Sequence, residues 1–171
     1  SSDLEPEALK DVETLHRADR GGFIMDPTVG LHENVYELDF ASLYPAIMCE
    51  FNISPDTINC ACHADRTDIP GLDYNVCDDR GFIVDVLEPL IEDRERAKAT
   101  IREAADNDPC RDAQAVSGAI KWILVSCFGY QGYRNSKFGR IECHEAINAV
   151  ARDIFLTAKD ILEAGGWTVV H

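Results

Sequence analysis

The sequence is poor in basic residues and above all in lysine. Five lysines and 11 arginines stand against 31 acidic residues, which gives a net charge of −15. Because neutralisation of phosphates supplies much of the affinity of nucleic-acid binders, this balance argues against a general one. Asp outnumbers Glu 18 to 13, a bias typical of proteins from salt-loving microbes. In concentrated salt the Debye length is about 3 Å, so local cations would suffice to contact DNA.

Long apolar runs are absent as well. No window approaches the roughly eighteen uninterrupted apolar residues of a membrane span, and the polar start, SSDLEPEALK, does not fit a signal peptide. We therefore expect a cytoplasmic protein without a membrane partner. Hydrophobic residues make up 46% of the 171, which is enough for the core of one domain or of a piece cut from a larger protein.

Seven cysteines are too few and too scattered for a secreted disulfide scaffold. The simplest interpretation is buried or incidental thiols in a cytoplasmic protein. A local group, Cys60-Ala61-Cys62-His63 with Cys77 further on, offers two alternatives. One is a zinc site, although C-x-C is not the common spacing and no second His follows. The other is a disulfide from Cys77 to Cys60 or Cys62. Both alternatives stay open.

Residue periodicity and turn residues divide the chain into elements. Alternating polarity predicts a strand at 35–40, and a second strand is predicted at 167–171. An irregular loop occupies 52–80, and a Gly/Tyr-rich segment occupies 129–139. Four segments have apolar residues at helical spacing: 42–51, 83–105, 111 to about 128, and 142–164. This order of elements predicts an α+β fold.

A carboxylate stands at the end of the first predicted strand. Asp39 comes just before the helix that begins near residue 42, whose free N–H groups are available to an anion. Taken alone, an Asp in this position is usually a helix cap or a turn former. A hard oxygen ligand for Mg²⁺ beside backbone amides for phosphate is nevertheless what a metal-bridged phosphate site requires.

Three basic residues on the next two predicted helices are candidate phosphate ligands. Arg94 and Lys98 are four residues apart, so both emerge on one helix face. Lys121 begins a stripe that continues with Val125 and Phe128. A solvated face is the alternative, because acidic residues surround the first pair. Lys121, however, lies in the apolar run A-I-K-W-I-L-V, where a lone cation usually has a partner or a function.

Two of these groups fall within longer motifs. Residues 39–45, D-F-A-S-L-Y-P, resemble motif A of the family B DNA polymerases, D-F-x-S-L-Y-P-S-I, and residues 52–57, N-I-S-P-D-T, are similar to its archaeal continuation. Residues 121–129, K-W-I-L-V-S-C-F-G, resemble motif B, K-x-x-x-N-S-x-Y-G. The run G-Y-Q-G-Y at 129–133 matches archaeal members. The resemblance covers residues 20–171 in unbroken order.

The resemblance implies a role for each matched residue. Asp39 matches the aspartate that binds the two catalytic Mg²⁺ ions, which stabilise the attacking and leaving oxygens of phosphoryl transfer. Tyr44 matches the steric gate that excludes a 2′-hydroxyl. The other matches bind the nucleotide: Ser42 and Leu43 hold the triphosphate by backbone N–H groups, Arg94, Lys98 and Lys121 clamp its phosphates, and Phe128 and Gly129 lie beneath the nascent base pair.

The sequence departs from the family pattern in four places. Val125 stands where motif B has Asn, and Phe128 stands where it has Tyr. Loss of one buried hydrogen bond costs about 1–3 kcal/mol, which weakens but does not abolish an activity. Ala46 replaces a Ser of motif A. His171 occupies the place of the tyrosine that opens motif C, Y-G-D-T-D-S, so the second metal-binding carboxylate is expected beyond this sequence.

The family fold implies a palm, built on an antiparallel sheet with helices, and a helical-hairpin fingers subdomain inserted in it. On this basis residues 1–20 are a polar lead-in and residues 81–128 are the fingers with motif B. The palm is then formed by 21–80, which contains motif A, and by 129–171, which ends before motif C. We expect a trimmed or split-gene piece of a halophilic archaeal enzyme.

The implied function is DNA-directed addition of deoxynucleoside monophosphates to a primer 3′-OH, with this piece inactive alone. The implied partners are primer–template DNA, deoxynucleoside triphosphates and the remainder of the polymerase, namely the exonuclease domain, motif C and the thumb; a sliding clamp is a further candidate. The departures in motif B favour an alternative, a catalytically inactive polymerase-like module with a structural or regulatory role in replication. An unrelated acidic binding protein is a third alternative.

Overall fold

The computed structural model of the chain describes residues 22, 24–104, 110–133 and 135–171. The lead-in predicted at residues 1–20 lies outside these ranges.

The described part of the chain contains four helices. They lie close to the predicted helical segments, and α3 extends three residues further than expected, into the Gly/Tyr-rich segment. Their bounds are α1, Leu43–Glu50; α2, Phe82–Glu103; α3, Arg111–Gln131; and α4, Ile141–Ala164. A short 3₁₀ turn, Ala61–His63, lies in the loop between α1 and α2. None of these helices combines the length and the apolarity needed to cross a membrane.

The predicted α+β fold, with an antiparallel palm sheet, is wrong for the described residues. Neither 35–40 nor 167–171 forms a strand, and the one β-type pairing is an isolated antiparallel bridge between Ile58 and Val76. A strand needs a neighbouring strand to take up its backbone hydrogen bonds. Among the described residues no backbone hydrogen bond joins 35–40 to 167–171, and Val170 O instead accepts from Thr28 N at 2.9 Å. The side chains of Tyr36 and Leu38, which alternate as a strand would, are about three-quarters exposed.

The hydrophobic core lies where α1 meets the three longer helices. The short helix α1 contacts α2, α3 and α4, and α2 packs along α3 in the most extensive of the helix contacts. Each helix contributes fully buried apolar side chains, which include Met48 of α1, Leu87 of α2, Leu124 of α3 and Ile147 of α4. Truncation of such a residue to Ala typically costs about 2–5 kcal/mol. The packing therefore fixes α1, and with it the motif A segment, against the helical pair α2–α3.

The loop at 52–80 is irregular, as predicted, but it is tied into the core. Four of its apolar side chains are buried: Ile53, Ile58, Ile69 and Val76. Asn52 joins its two ends, because its Nδ2 donates to Cys77 O at 2.9 Å and its Oδ1 accepts from Gly81 N at 2.8 Å. Arg140, just before α4, donates to the carbonyl oxygens of Pro55 and Ile58 at 2.9 and 2.8 Å. These hydrogen bonds anchor the loop both to the start of α2 and to the start of α4.

Candidate functional site

The N-terminus of α1 is the first component of the candidate site. Ser42 precedes the helix in a left-handed conformation, φ 52° and ψ 44°, which costs an ordinary residue about 1–2 kcal/mol. Its hydroxyl does not cap α1. Instead, Ser42 Oγ accepts a hydrogen bond from Arg94 Nη1 at 2.7 Å. The first N–H groups of α1 are therefore left without a side-chain cap, beside a guanidinium group.

Arg94 is the cation nearest to this helix terminus. Its side chain is half-buried on α2, and its Nε is buried with no hydrogen-bond partner among the described residues. A guanidinium group has five N–H donors and stays charged at any ordinary pH. Arg94 therefore retains donor capacity beyond its bond to Ser42, in a place where a donor without a partner is costly.

Lys98 lies one helical turn from Arg94 and has a local partner. Its Nζ contacts Glu95 Oε1 at 2.8 Å on the same helix. The hydrogen bond from Lys98 lowers the pKa of the Glu95 carboxyl, and the nearby positive charges add to this effect. An exposed ion pair of this kind contributes at most about 1 kcal/mol, so Lys98 can exchange Glu95 for another anion at little cost.

An aromatic stack connects α1, α3 and α4. The Tyr44 and Phe128 rings lie 4.1 Å apart between centroids at an interplanar angle of 12°. The Phe128 and His144 rings follow at 4.6 Å and 18°. A Cβ placed on Gly22 would lie 3.7 Å from Tyr44 Oη, so the backbone at residue 22 passes close to that hydroxyl. The stack holds the ring of Tyr44, which belongs to the motif A helix α1, against the motif B helix α3.

His144 was missed by sequence reasoning. It lies on α4 in line with buried Ile141, three residues before it, and buried Asn148, four residues after it. This spacing places it on the row of α4 that faces the core, which is the signal that could have identified it. A Cβ on Gly132 would stand 3.0 Å from His144 Nδ1, so the backbone after α3 also packs on this ring.

The remaining motif B candidates lie on the exposed side of α3. Lys121, Val125 and Gly129 are exposed, with Val125 at 53%. The apolar run around Lys121 is only partly buried, because Ile120 and Leu124 face the core while Trp122 is 74% exposed. Lys121 is therefore directed to solvent and is not a cation enclosed in the core.

Asp39 is the only carboxylate among the candidate residues. It lies in the irregular segment before α1 and is exposed. It belongs to no group of three or more potential metal ligands among the described residues. One carboxylate does not provide the several oxygen ligands that two Mg²⁺ ions require. The described residues alone therefore do not fit a complete two-metal site.

The candidate cysteines form a cluster in the loop. Cys60, Cys62 and Cys77 are free thiols, and the Sγ atoms of Cys62 and Cys77 are 3.5 Å apart. Desolvation opposes ionisation of Cys60, but hydrogen bonds from Cys62 and His63 lower its pKa to about 7. By contrast, burial raises the pKa of Cys49, on α1, to about 11.

Comparison with known proteins places these residues in a family. A family model described as DNA polymerase family B matches residues 8–170. The chain is 37% identical over 166 residues to DNA polymerase 2 of Saccharolobus solfataricus, which covers 96% of this chain and 24% of the relative. It is 34% identical over 152 residues to a DNA polymerase of Archaeoglobus fulgidus, covering 88% of this chain and 19% of the relative.

The chain belongs to DNA polymerase family B. The fold agrees, because the solved structure of the family B DNA polymerase from the hyperthermophilic archaeon Pyrobaculum calidifontis matches with a TM-score of 0.73 and 28% identity. That match covers 88% of this chain and 21% of the solved one. This family B chain thus spans no more than about a quarter of the length of the relatives it matches.

Proposed function

We propose that this chain is the nucleotide-binding part of a DNA-directed DNA polymerase, which adds deoxynucleoside monophosphates to a primer 3′-OH. The contact between Arg94 Nη1 and Ser42 Oγ carries the proposal. It joins motif A to the helical pair that holds motif B, at a helix N-terminus whose N–H groups have no side-chain cap. A helix N-terminus beside a guanidinium group suits a triphosphate, since both favour negative charge.

Each candidate residue has a part in this proposal. The backbone N–H groups of Ser42 and Leu43 donate hydrogen bonds to phosphate oxygens. The Arg94 guanidinium group approaches the same phosphates from α2. Lys98 and Lys121 add charge from the two helices of the proposed fingers, residues 81–128. The stacked Tyr44 ring is the steric gate, and Phe128 with Gly129 faces the nascent base pair. These groups act by positioning and by electrostatic stabilisation, which supply most of the catalysis in phosphoryl transfer.

Asp39 is proposed to supply one oxygen ligand to the catalytic Mg²⁺ ions. When bound, such ions stabilise charge on the attacking and leaving oxygens. Because a single carboxylate does not complete the site, the other ligands must come from elsewhere in the polymerase, together with its exonuclease and thumb regions. The 171-residue chain alone is accordingly expected to give no primer extension on a primed template. Measurable extension by the purified chain would contradict this view of the site.

The proposed nucleotide clamp, formed by Arg94, Lys98 and Lys121, is tested in the full-length polymerase that carries this segment. Lys121 is exposed, so its replacement by Ala should leave folding intact. A charged phosphate contact that tightens in the transition state is worth about 2–4 kcal/mol, or about 30- to 1000-fold in rate. We expect Lys121→Ala to lower kcat/KM for nucleotides by this factor and to leave the Kd for primer–template nearly unchanged.

The matched control is Lys159→Ala, which removes a lysine paired with Glu163 near the end of α4 and should not affect incorporation. Single-turnover incorporation and DNA binding are measured side by side. If Lys121→Ala weakens DNA binding and spares incorporation, the lysine contacts the duplex and the assignment of the clamp is wrong. Val125→Asn, which restores the family residue, should raise the activity or leave it unchanged.

The departures at Val125 and Phe128 favour a second candidate, a polymerase-like module without catalytic activity that acts in replication. In that case neither Lys121→Ala nor Val125→Asn would change a rate, because the full-length protein would incorporate no nucleotide. The free thiols suit a reducing compartment, and we propose a cytoplasmic location with either function. A sliding clamp is a further proposed partner.

A further inference from the structure

The loop between α1 and α2 brings four metal-ligating side chains together. Their ligand atoms all lie within 4.8 Å of one another. Two of the separations are 3.3 Å, from Cys60 Sγ to His63 Nδ1, and 3.5 Å, from Cys62 Sγ to Cys77 Sγ. Zn–S bonds of about 2.3 Å and Zn–N bonds of about 2.0–2.1 Å at tetrahedral angles place ligand atoms roughly 3.6–3.8 Å apart. The cluster therefore needs only small adjustments to surround one ion.

We propose that this loop binds a single structural Zn²⁺ ion through three thiolates and one imidazole: Cys60, Cys62, His63 and Cys77. We name these residues the Cys₃His cluster. Four protein ligands leave no open position for water or substrate, which is the pattern of structural and not of catalytic zinc sites. This site is independent of the proposed polymerase activity.

Backbone contacts hold the two arms of the cluster side by side. The antiparallel bridge pairs Ile58, two residues before Cys60, with Val76, directly before Cys77. Cys77 N donates to Thr57 O at 2.9 Å, and Asn59 N donates to Asn75 O at 2.8 Å. The cluster thus stands on a fixed backbone frame beside buried residues of the core. Because this frame is already formed, metal binding loses less conformational entropy.

The surroundings of His63 are those of a zinc-binding histidine. Its Nδ1 faces Cys60, while its Nε2 lies 3.1 Å from Asp78 Oδ2. Arg66 Nη1 holds the other oxygen of Asp78 at 2.7 Å. A histidine that binds a metal usually donates its second ring N–H to a carboxylate, which fixes the tautomer and the ring orientation. With the Nε2 proton on the Asp78 side, the Nδ1 lone pair is directed to the cluster.

The geometry also favours zinc over a disulfide. A disulfide between Cys62 and Cys77 would use two of the thiols and leave the third beside His63 without a function. A zinc ion uses all four side chains and the Asp78 contact. It would also cross-link a 29-residue connection, 52–80, which has little secondary structure of its own and is long for a loop in a compact domain.

Metal content of the purified chain tests the proposal. The chain is produced with zinc, purified in reductant without chelator, and analysed by inductively coupled plasma mass spectrometry. We expect one Zn²⁺ per chain, released by a thiol-modifying mercurial. After replacement of zinc by Co²⁺, the absorption spectrum should show the bands of a tetrahedral thiolate-rich site. Cys62→Ser removes an exposed ligand and should abolish stoichiometric binding, whereas Cys110→Ser, a thiol outside the cluster, should retain one Zn²⁺.

A second variant separates metal binding from folding. Asp78→Asn keeps all four ligands and should lower zinc affinity by about 10- to 100-fold, measured by competition with a chromogenic chelator. Far-UV circular dichroism checks that each variant keeps its helices. The proposal is overturned if the reduced wild-type chain binds no more zinc than Cys62→Ser. It is also overturned if mass spectrometry of chain purified without oxygen finds a Cys62–Cys77 disulfide.

Discussion

At the scale of single residues, a few polar side chains connect parts of the chain that are far apart in sequence. Tyr74, in the loop, donates its hydroxyl to Glu145 Oε2 on α4 at 2.5 Å, across 71 residues. Burial raises the pKa of Tyr74, and the hydrogen bond and negative charge of Glu145 raise it further. The folded state therefore favours the neutral phenol, which can donate, over the phenolate, which cannot.

Tyr74→Phe tests this contact. A hydrogen bond to a charged group is worth roughly 1.5–3 kcal/mol, and partial exposure here reduces that to about 1–2 kcal/mol. Because the folded pKa lies above the unfolded value of about 10, the contribution is complete below pH 10 and is lost as the pH rises further. Urea unfolding should show the wild type more stable at pH 7, with the difference shrinking at strongly alkaline pH.

The control is Tyr130→Phe, which removes the hydroxyl of an exposed tyrosine and keeps its ring. Its free energy of unfolding should stay within about 0.5 kcal/mol of the wild type. Equal stability of Tyr74→Phe and wild type at pH 7 would mean that Glu145 and solvent compensate for the lost hydroxyl.

At the scale of elements, the sequence predicted the helices correctly, but the two strands it predicted are not formed by the described residues. Helices α2 and α4 depend on periodicity and turn residues within one segment, and their predicted bounds lie within two residues of the observed ones. The segment 35–40 has the alternation of a strand, but alternation identifies a face and not a partner. The described residues offer it no neighbouring strand, and its apolar side chains are exposed.

The candidate site shows the same limit, because the sequence identified single residues but not the contacts between them. Motif A indicated Ser42, and the four-residue spacing to Lys98 indicated Arg94. The contact between them, across 52 positions, depends on the packing of α1 on α2. Likewise, Tyr44 and Phe128 were both identified, while their stacking was not. His144 lies outside both motifs, and its position on the core-facing row of α4 was not used as a signal. Local pattern thus identifies candidate residues, and only the tertiary structure brings them together.

The start of α2 provides a test of element packing. A Cβ on Gly81, which precedes the helix, would stand 2.5 Å from Ser54 Cβ and 3.0 Å from Thr57 Cγ2. Because both neighbours are buried, Gly81→Ala must displace the loop from the helix, and overpacking of this kind costs about 1–3 kcal/mol. Thermal or urea unfolding should show this loss.

Gly118→Ala is the matched control within a helix. No atom lies within 4 Å of a Cβ at this position of α3, and Ala in a helix interior is favoured over Gly by roughly 0.5–1 kcal/mol. The two Gly→Ala changes should therefore have opposite signs. If Gly81→Ala is neutral or stabilising, the loop does not pack on the start of α2 as described.

At the scale of the whole molecule, charge is the dominant feature. Most of the described ion pairs have at least one exposed partner, as in Arg80 with Asp85 at 2.6 Å and Lys159 with Glu163 at 2.6 Å. Each contributes little, and 16 basic residues cannot pair with 31 acidic ones. The net charge of −15 therefore remains as self-repulsion, which opposes the compact state unless ions screen it.

Salt should therefore stabilise the fold, as the proposed halophilic origin requires. The Debye length falls from about 10 Å at 0.1 M to about 3 Å at 1 M salt, so repulsion between surface carboxylates is largely removed over this range. We expect the Tm, followed by circular dichroism at 222 nm or by calorimetry, to rise markedly between roughly 0.1 M and 1 M KCl. Sucrose of equal osmolality is the control, because it is excluded from protein surfaces but does not screen charge, and it should raise the Tm less. A Tm that stays flat in KCl, or that rises equally in sucrose, would contradict the salt-loving origin and leave the acidic composition without this explanation.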